Sequence, residues 1–116
     1  MVIKISEDFT KTPGARYKTD GDFSGEEFRE DFLMPCFLKA IENSENLTID
    51  LDGGYGYATS FLEESFGGLA RKYSPKQVLD ILLFKSEDEL SLVDEIKRYI
   101  KNANKTKKIG KCSDVS

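Results

Sequence analysis

Residues 47–69 read LTIDLDGGYGYATSFLEESFGGL, and this stretch decides the fold. Leu47-Thr48-Ile49-Asp50-Leu51 is a compact β-forming run behind a polar turn, which suits a central strand of a small sheet. Gly53, Gly54 and Gly56 follow, interleaved with Tyr55 and Tyr57, and their conformational freedom predicts a tight turn with positive φ angles. Phe61, Leu62, Phe66, Leu69 and Ala70 then supply the apolar surface of a helix reaching Tyr73. Ser60 and Glu63 have the spacing of a capping box, so Ser60 is expected at the helix N-cap, a position worth roughly 1 kcal/mol. Gly67-Gly68 inside the helix costs about 1 kcal/mol per residue against alanine, so close approach of another element is the expected compensation.

Outward from this unit, strands and helices continue to alternate, which favours a two-layer α/β arrangement. Val2 to Ile5 reads as a short edge strand. Pro13-Gly14 and Asp20-Gly21 are turn signals, with Ala15-Arg16-Tyr17-Lys18 between them expected as a short strand of hairpin character. Ser24-Gly25-Glu26-Glu27 is a capping box, after which Phe28, Phe32, Leu33, Cys36, Phe37, Ala40 and Ile41 draw one apolar helical face. Pro35 lacks the N–H that would reach Asp31, so a kinked helix or two short helices should end near Asn43. Ser74-Pro75 opens a short helical turn, and Ile81-Leu82-Leu83-Phe84 reads as a strand. Ser86 and Glu89 form a third capping-box pattern, before a helix carrying Leu90, Val93, Ile96, Lys97 and Ile100 to about Ala103. The expected domain therefore spans residues 1–103, with 104–116 a polar, basic and disordered tail.

The 116 residues fit one domain, and a hydrophobic fraction of 39% is enough for a core. Residues 1–96 carry 10 Lys and Arg against 20 Asp and Glu, whereas residues 97–116 carry 7 basic residues against Asp114 alone. The body should therefore repel nucleic acid while the end of the chain attracts anions. Met1-Val2-Ile3-Lys4 does not begin a signal peptide, and no apolar run approaches the roughly 20 residues needed to cross a bilayer. Cys36 and Cys112 come without a cysteine framework, so no disulfide is expected and the cytoplasm is the expected location. The absence of histidine removes His-based triads and H-E-x-x-H zinc sites.

Three chemistries remain to be weighed. The glycine turn has neither the Walker ending nor the dinucleotide spacing, so it reads as structural and no cofactor is expected. Asp50, Asp52, Glu63 and Glu64 could serve a metal-dependent enzyme only if they converge on a hard cation; a turn cap or a solvated carboxylate is the plainer reading. Lys97, Arg98, Lys101, Lys105, Lys107, Lys108 and Lys111 could form a weak nucleic-acid-binding module. Arg16 and Arg29 could receive carboxylates. Tyr55, Tyr57, Thr59, Ser60, Glu63 and Glu64 form the candidate partner-binding surface, with Ser60 also a candidate phosphorylation site, since a phosphate there would meet free amides and a favourable dipole.

The run from Leu47 to Leu69 resembles the STAS-like domain family of unknown function, itself similar to the anti-anti-sigma-factor STAS fold. Asp50 ending the strand, Ser60-Phe61 opening the helix, then Glu64, Phe66-Gly67 and Leu69 carry the likeness. It extends back through Gly14-Ala15-Arg16-Tyr17 and Ser24-Gly25-Glu26-Glu27-Phe28-Arg29, and forward through Ile81-Leu82-Leu83-Phe84. The resemblance implies a small two-layer sandwich with a mixed sheet and helices mainly on one face. The missing histidine, metal motifs and phosphate-binding motif favour a non-enzymatic regulatory or adaptor domain that binds a protein partner, and the resemblance implies a histidine-kinase-like ATPase domain as a candidate for that partner. Anti-anti-sigma proteins carry Asp-Ser-Ser-Gly at the helix start with the second Ser phosphorylated. Here Ala58-Thr59-Ser60-Phe61 occupies those positions, so the acceptor role falls on Ser60, while Ala58 and Phe61 depart from the pattern.

Overall fold

The computed structural model describes residues 1–103. Strands β1 (Val2–Lys4), β2 (Leu47–Asp50) and β3 (Leu82–Lys85) form a sheet in the order β1-β2-β3. β2 is central, as its apolar run predicts. Both pairings are parallel, with Ile3 beside Ile49, Ile49 beside Phe84, and Asp50 between Lys4 and Lys85. The helices lie on one face, as expected: Ile3, Leu47, Ile49 and Leu82 point into the core, whereas Val2 and Leu83 on the opposite face are exposed.

A mixed sheet needs an antiparallel strand, and the expected strand at 15–18 does not form among the described residues. Its carbonyls are used elsewhere. Ala15 C=O accepts from Gly25 N–H at 2.8 Å and Arg16 C=O from Glu26 N–H at 3.0 Å, satisfying the first amides of the next helix. Lys18–Asp20 closes a single 3₁₀ turn instead.

After a short helix α1 (Ile5–Asp8), the long helix α2 occupies residues 25–42. Ser24 Oγ caps it by accepting from Glu27 N–H at 3.0 Å. Pro35 does not break it. Arg29–Leu33 is wound as a π turn, with Met34 N–H reaching back five residues to Arg29 C=O, and this widened turn relieves the clash between the proline ring and the preceding turn. Phe28, Leu33, Phe37 and Ala40 are buried. The helix ends at Asn43, as the pattern predicts.

Helix α3 covers residues 59–72 and widens in the same way, with a π turn at Glu63–Gly67. The short helix α4 (Pro75–Ile81) is capped by Ser74 Oγ, which accepts from Gln77 N–H at 3.1 Å. The last helix, α5 (Ser91–Lys101), buries Leu92, Ile96 and Ile100. The capping box expected from Ser86 and Glu89 is not formed. Ser86 Oγ donates to Glu89 C=O at 2.6 Å and shapes the loop, so the helix starts later and Leu90 is left exposed.

Aromatic rings tie these layers together. Phe28 sits 5.3 Å from Phe9, 5.7 Å from Phe61 and 6.2 Å from Phe66, and Phe66 meets Phe84 of β3 at 5.7 Å. Such pairs add about 0.5–1.5 kcal/mol each beyond the area they bury. No helix among the described residues is long and apolar enough to cross a membrane. The basic tail expected at 104–116, with Cys112 and the lysines from Lys105 to Lys111, lies outside the described residues.

Candidate functional site

The turn joining β2 to α3 is pinned from three sides. Asp50 starts it: its carboxylate lies 3.8 Å from Lys4 Nζ and 3.7 Å from Lys85 Nζ, and accepts from Asp52 N–H at 3.0 Å. Asp52 accepts from Glu87 N–H and Asp88 N–H at 2.8 and 2.9 Å, bonds that hold its carboxyl below the usual range. Gly53 N–H donates to Asp88 in return, at 3.1 Å. Tyr55 N–H donates to Lys11 C=O at 2.9 Å, and the Tyr57 hydroxyl donates to Leu51 C=O at 2.9 Å. Burial, then the charges of Asp50 and Asp52, push the Tyr57 hydroxyl well above its ordinary pKa.

Gly53 and Gly56 adopt the positive φ angles the turn predicts, +92° and +130°. At Gly53 the need is double, because a Cβ would also lie 2.9 Å from Ser6 Oγ. The product is a fixed turn that presents Tyr55 at 83% exposure.

Helix α3 starts two residues earlier than the capping-box reading places it. Ala58 is the N-cap, with Leu62 N–H bonded to its carbonyl at 3.2 Å. Ser60 is therefore not the cap; it sits inside the first turn, partly exposed, next to exposed Thr59. Glu63 does not reach back to Ser60 because two arginines hold it. It meets Arg16 Nη1 at 2.7 Å and Arg71 Nη1 at 2.6 Å. Burial alone would raise the Glu63 pKa, but the hydrogen bonds from Arg71 and Arg16 overcome it and lower it. Arg16 is raised in turn, chiefly by its bond to Glu63.

Glu64 points inward. Its side chain is 10% exposed and pairs with Arg29, itself 8% exposed, at the crossing of α2 and α3. Arg29 Nη1 also donates to Glu64 C=O at 2.9 Å. Both partners belong to the π turns, and Gly68 gives the guanidinium room, since a Cβ there would sit 2.5 Å from Arg29 Nη1. This is the close approach that Gly67-Gly68 predicts. Arg16 and Arg29, considered as partners for an outside carboxylate, thus donate to internal ones.

The four carboxylates considered for a metal do not converge. Asp50 and Asp52 belong to the turn and its lysines, whereas Glu63 and Glu64 belong to the arginine network. Among the described residues no three Asp, Glu, Cys or His side chains are placed to hold an ion. The geometry corrects the carboxylate-metal reading and confirms the turn-cap role of Asp52. Of the six candidate contact residues, Tyr55 and Thr59 are exposed and Ser60 is partly exposed, whereas Glu64 is buried and the polar atoms of Tyr57 and Glu63 are held by the Leu51 carbonyl and by the two arginines. Lys4 and Lys85 were not legible as Asp50 partners, because only the parallel register brings three separated segments onto one rung.

No curated protein and no solved structure matches the chain. The family model of the STAS-like domain of unknown function (DUF4325) matches residues 24–92, from the cap of α2 to the start of α5. The matched segment is narrower than the expected 1–103, but it holds β2, the glycine turn, all of α3 and β3, more than half of the sequence. The chain belongs to the family of STAS-like domains of unknown function.

Proposed function

We infer that the protein is a non-enzymatic regulatory adaptor of the cytoplasm that engages a protein partner through Tyr55, Thr59 and Ser60. Family membership supports the regulatory role in general terms. The observation that carries the particular surface is Tyr55, a large aromatic 83% exposed on a turn whose backbone is tied to Lys11 and Asp88. Such a residue loses little conformational entropy on binding, and buried aromatics often supply most of an interface's energy. The partner that the STAS likeness suggests is a histidine-kinase-like ATPase domain, with Ser60 as phosphate acceptor.

The test is affinity capture from the native host with the wild-type chain, Tyr55→Ala, Ser60→Ala and Ser60→Glu, joined to mass spectrometry of Ser60. One partner should be lost with Tyr55→Ala and Ser60→Glu and kept with Ser60→Ala. Identical partners from all four chains would refute the surface. Absence of phosphate on Ser60 under every growth and stress condition would refute the switch alone.

A further inference from the structure

The two outer strands of the sheet end differently. On β1, Lys4 N–H donates to Asp8 Oδ2 at 2.8 Å, so a side chain from α1 covers that edge and places charge along it. On β3 the edge is open among the described residues, since β2 is its one neighbour. Leu51 N–H donates to Lys85 C=O at 2.8 Å, which fixes the side on which Lys85 bonds. Alternation along a parallel strand then turns Leu83 and Lys85 toward β2, and Leu82 and Phe84 away from it. Leu82 N–H is taken by Val78 C=O at the end of α4. The Leu82 carbonyl and both backbone groups of Phe84 remain for an outside strand.

A groove of about 420 Å³ runs beside this edge. Leu79, Val93 and Leu83 give it apolar walls, and its charged lining residues are Lys97 and Lys101, one turn apart on α5. Leu83 is 50% exposed on the outer face, which a neighbouring strand would cover. An open strand edge with apolar pockets beside it is the arrangement used for strand addition, where main-chain bonds give affinity and alternate side chains give specificity.

We propose that β3 accepts an extended acidic segment of a partner protein as a fourth strand, its apolar residues against Leu79 and Val93 and its carboxylates against Lys97 and Lys101. Charge selects this occupant. A second copy pairing through the same edge would bring β3 with Lys85, and no carboxylate of that strand, to the lysine-lined groove. Residues 104–116 carry Lys105, Lys107, Lys108 and Lys111 against Asp114 alone, the same sign as the groove. The surface is separate from Tyr55 and Ser60, so the adaptor would have two contact sites.

Random ten-residue peptides displayed on phage and selected against the full chain test the proposal, followed by fluorescence anisotropy on the enriched peptides. Enriched sequences should alternate apolar residues with Asp or Glu. Lys97→Glu combined with Lys101→Glu should weaken them about tenfold. Methylating the peptide's backbone nitrogens should abolish binding, and bound peptide should slow hydrogen exchange at the Phe84 amide while leaving Leu83 unchanged. No enrichment, enrichment of basic peptides, indifference to charge reversal, protection away from Phe84, or self-association of the chain in place of peptide binding would each overturn it.

Discussion

Glu64→Gln isolates the buried ion pair at the crossing of α2 and α3, because it removes one charge while keeping shape. Arg29 would then hold its charge at 8% exposure with no carboxylate closer than Glu30, at 3.6 Å from Nη2. Breaking a buried pair by neutralising one partner costs about 3–5 kcal/mol, mainly the stranded charge. The bond from Arg29 Nη1 to Glu64 C=O at 2.9 Å survives and puts the loss near the low end, at about 3 kcal/mol. For a domain of this size that lowers Tm by roughly 12–24 °C. Arg29→Met alone leaves Glu64 with Arg16 at 3.3 Å and Arg71 at 4.0 Å, so it should cost less. The double variant Arg29→Met with Glu64→Leu should lie within about 1 kcal/mol of wild type, since no charge is stranded. Urea unfolding followed by circular dichroism at pH 7 supplies the three differences and the coupling energy. A Glu64→Gln loss below about 1 kcal/mol, or single losses that simply add within about 0.5 kcal/mol, would refute the claim that the pair acts as one buried unit.

The same crossing should be intolerant of volume at Gly25. A Cβ there lies 2.7 Å from the Phe61 carbonyl oxygen and 3.0 Å from Glu64 Cβ, so Gly25→Ala must move backbone. The expected loss is about 1–3 kcal/mol by chemical denaturation, against no more than about 0.5 kcal/mol for Gly14→Ala, whose Cβ would meet open space. Equal effects at the two glycines would refute the close packing. Acid should loosen the fold partly through Glu63. Its pKa is lower folded than unfolded, so the unfolded chain binds more protons, and the stabilisation present above the ordinary value near 4.5 is lost as pH falls through the folded value. Urea midpoints measured from pH 7 to 3 should fall less steeply in Glu63→Gln; parallel curves for the two chains would refute that role.

The parts of this fold legible in the sequence are those set by local period and turn chemistry. β2, the glycine turn, the apolar faces of α2 and α3, the Ser24 cap and the helix opening at Ser74-Pro75 all follow from residues a few positions apart. The readings that fail involve choices between local and distant partners. Residues 15–18 have a strand-like composition, yet their carbonyls do more by satisfying the α2 amides than by pairing in a hairpin. Ser60 and Glu63 have capping-box spacing, but Arg16, 47 positions before Glu63, and Arg71 outcompete the serine amide for the carboxylate. Pro35 predicts a kinked helix or two short helices, and the irregularity takes the form of a π turn just before it. The matching π turn at Glu63–Gly67 contains no proline, and no local pattern announces it. At the site, the exposed aromatic and the hydroxyls were legible by type. Which acidic residues face inward was not, since periodicity places Glu63 and Glu64 on a helix without saying what lies opposite.

The arginine network changes what a charge at Ser60 would do. A serine at the N-cap contributes its hydroxyl to the helix start, and modifying it would remove that bond. Ser60 lies two residues past the N-cap Ala58, where no cap depends on its hydroxyl. Repulsion from Glu63, the acidic neighbour one turn on, is offset because Arg16 and Arg71 already match its charge. A negative group in the first turn is also favoured by the helix dipole. A phosphate at Ser60 would therefore alter the surface charge at the start of α3 while leaving the helix and the Arg29–Glu64 pair in place. For that reason the loss of a partner with Ser60→Glu reports on the contact surface rather than on unfolding, and a helix start that does not use the Ser60 hydroxyl is what makes that distinction available.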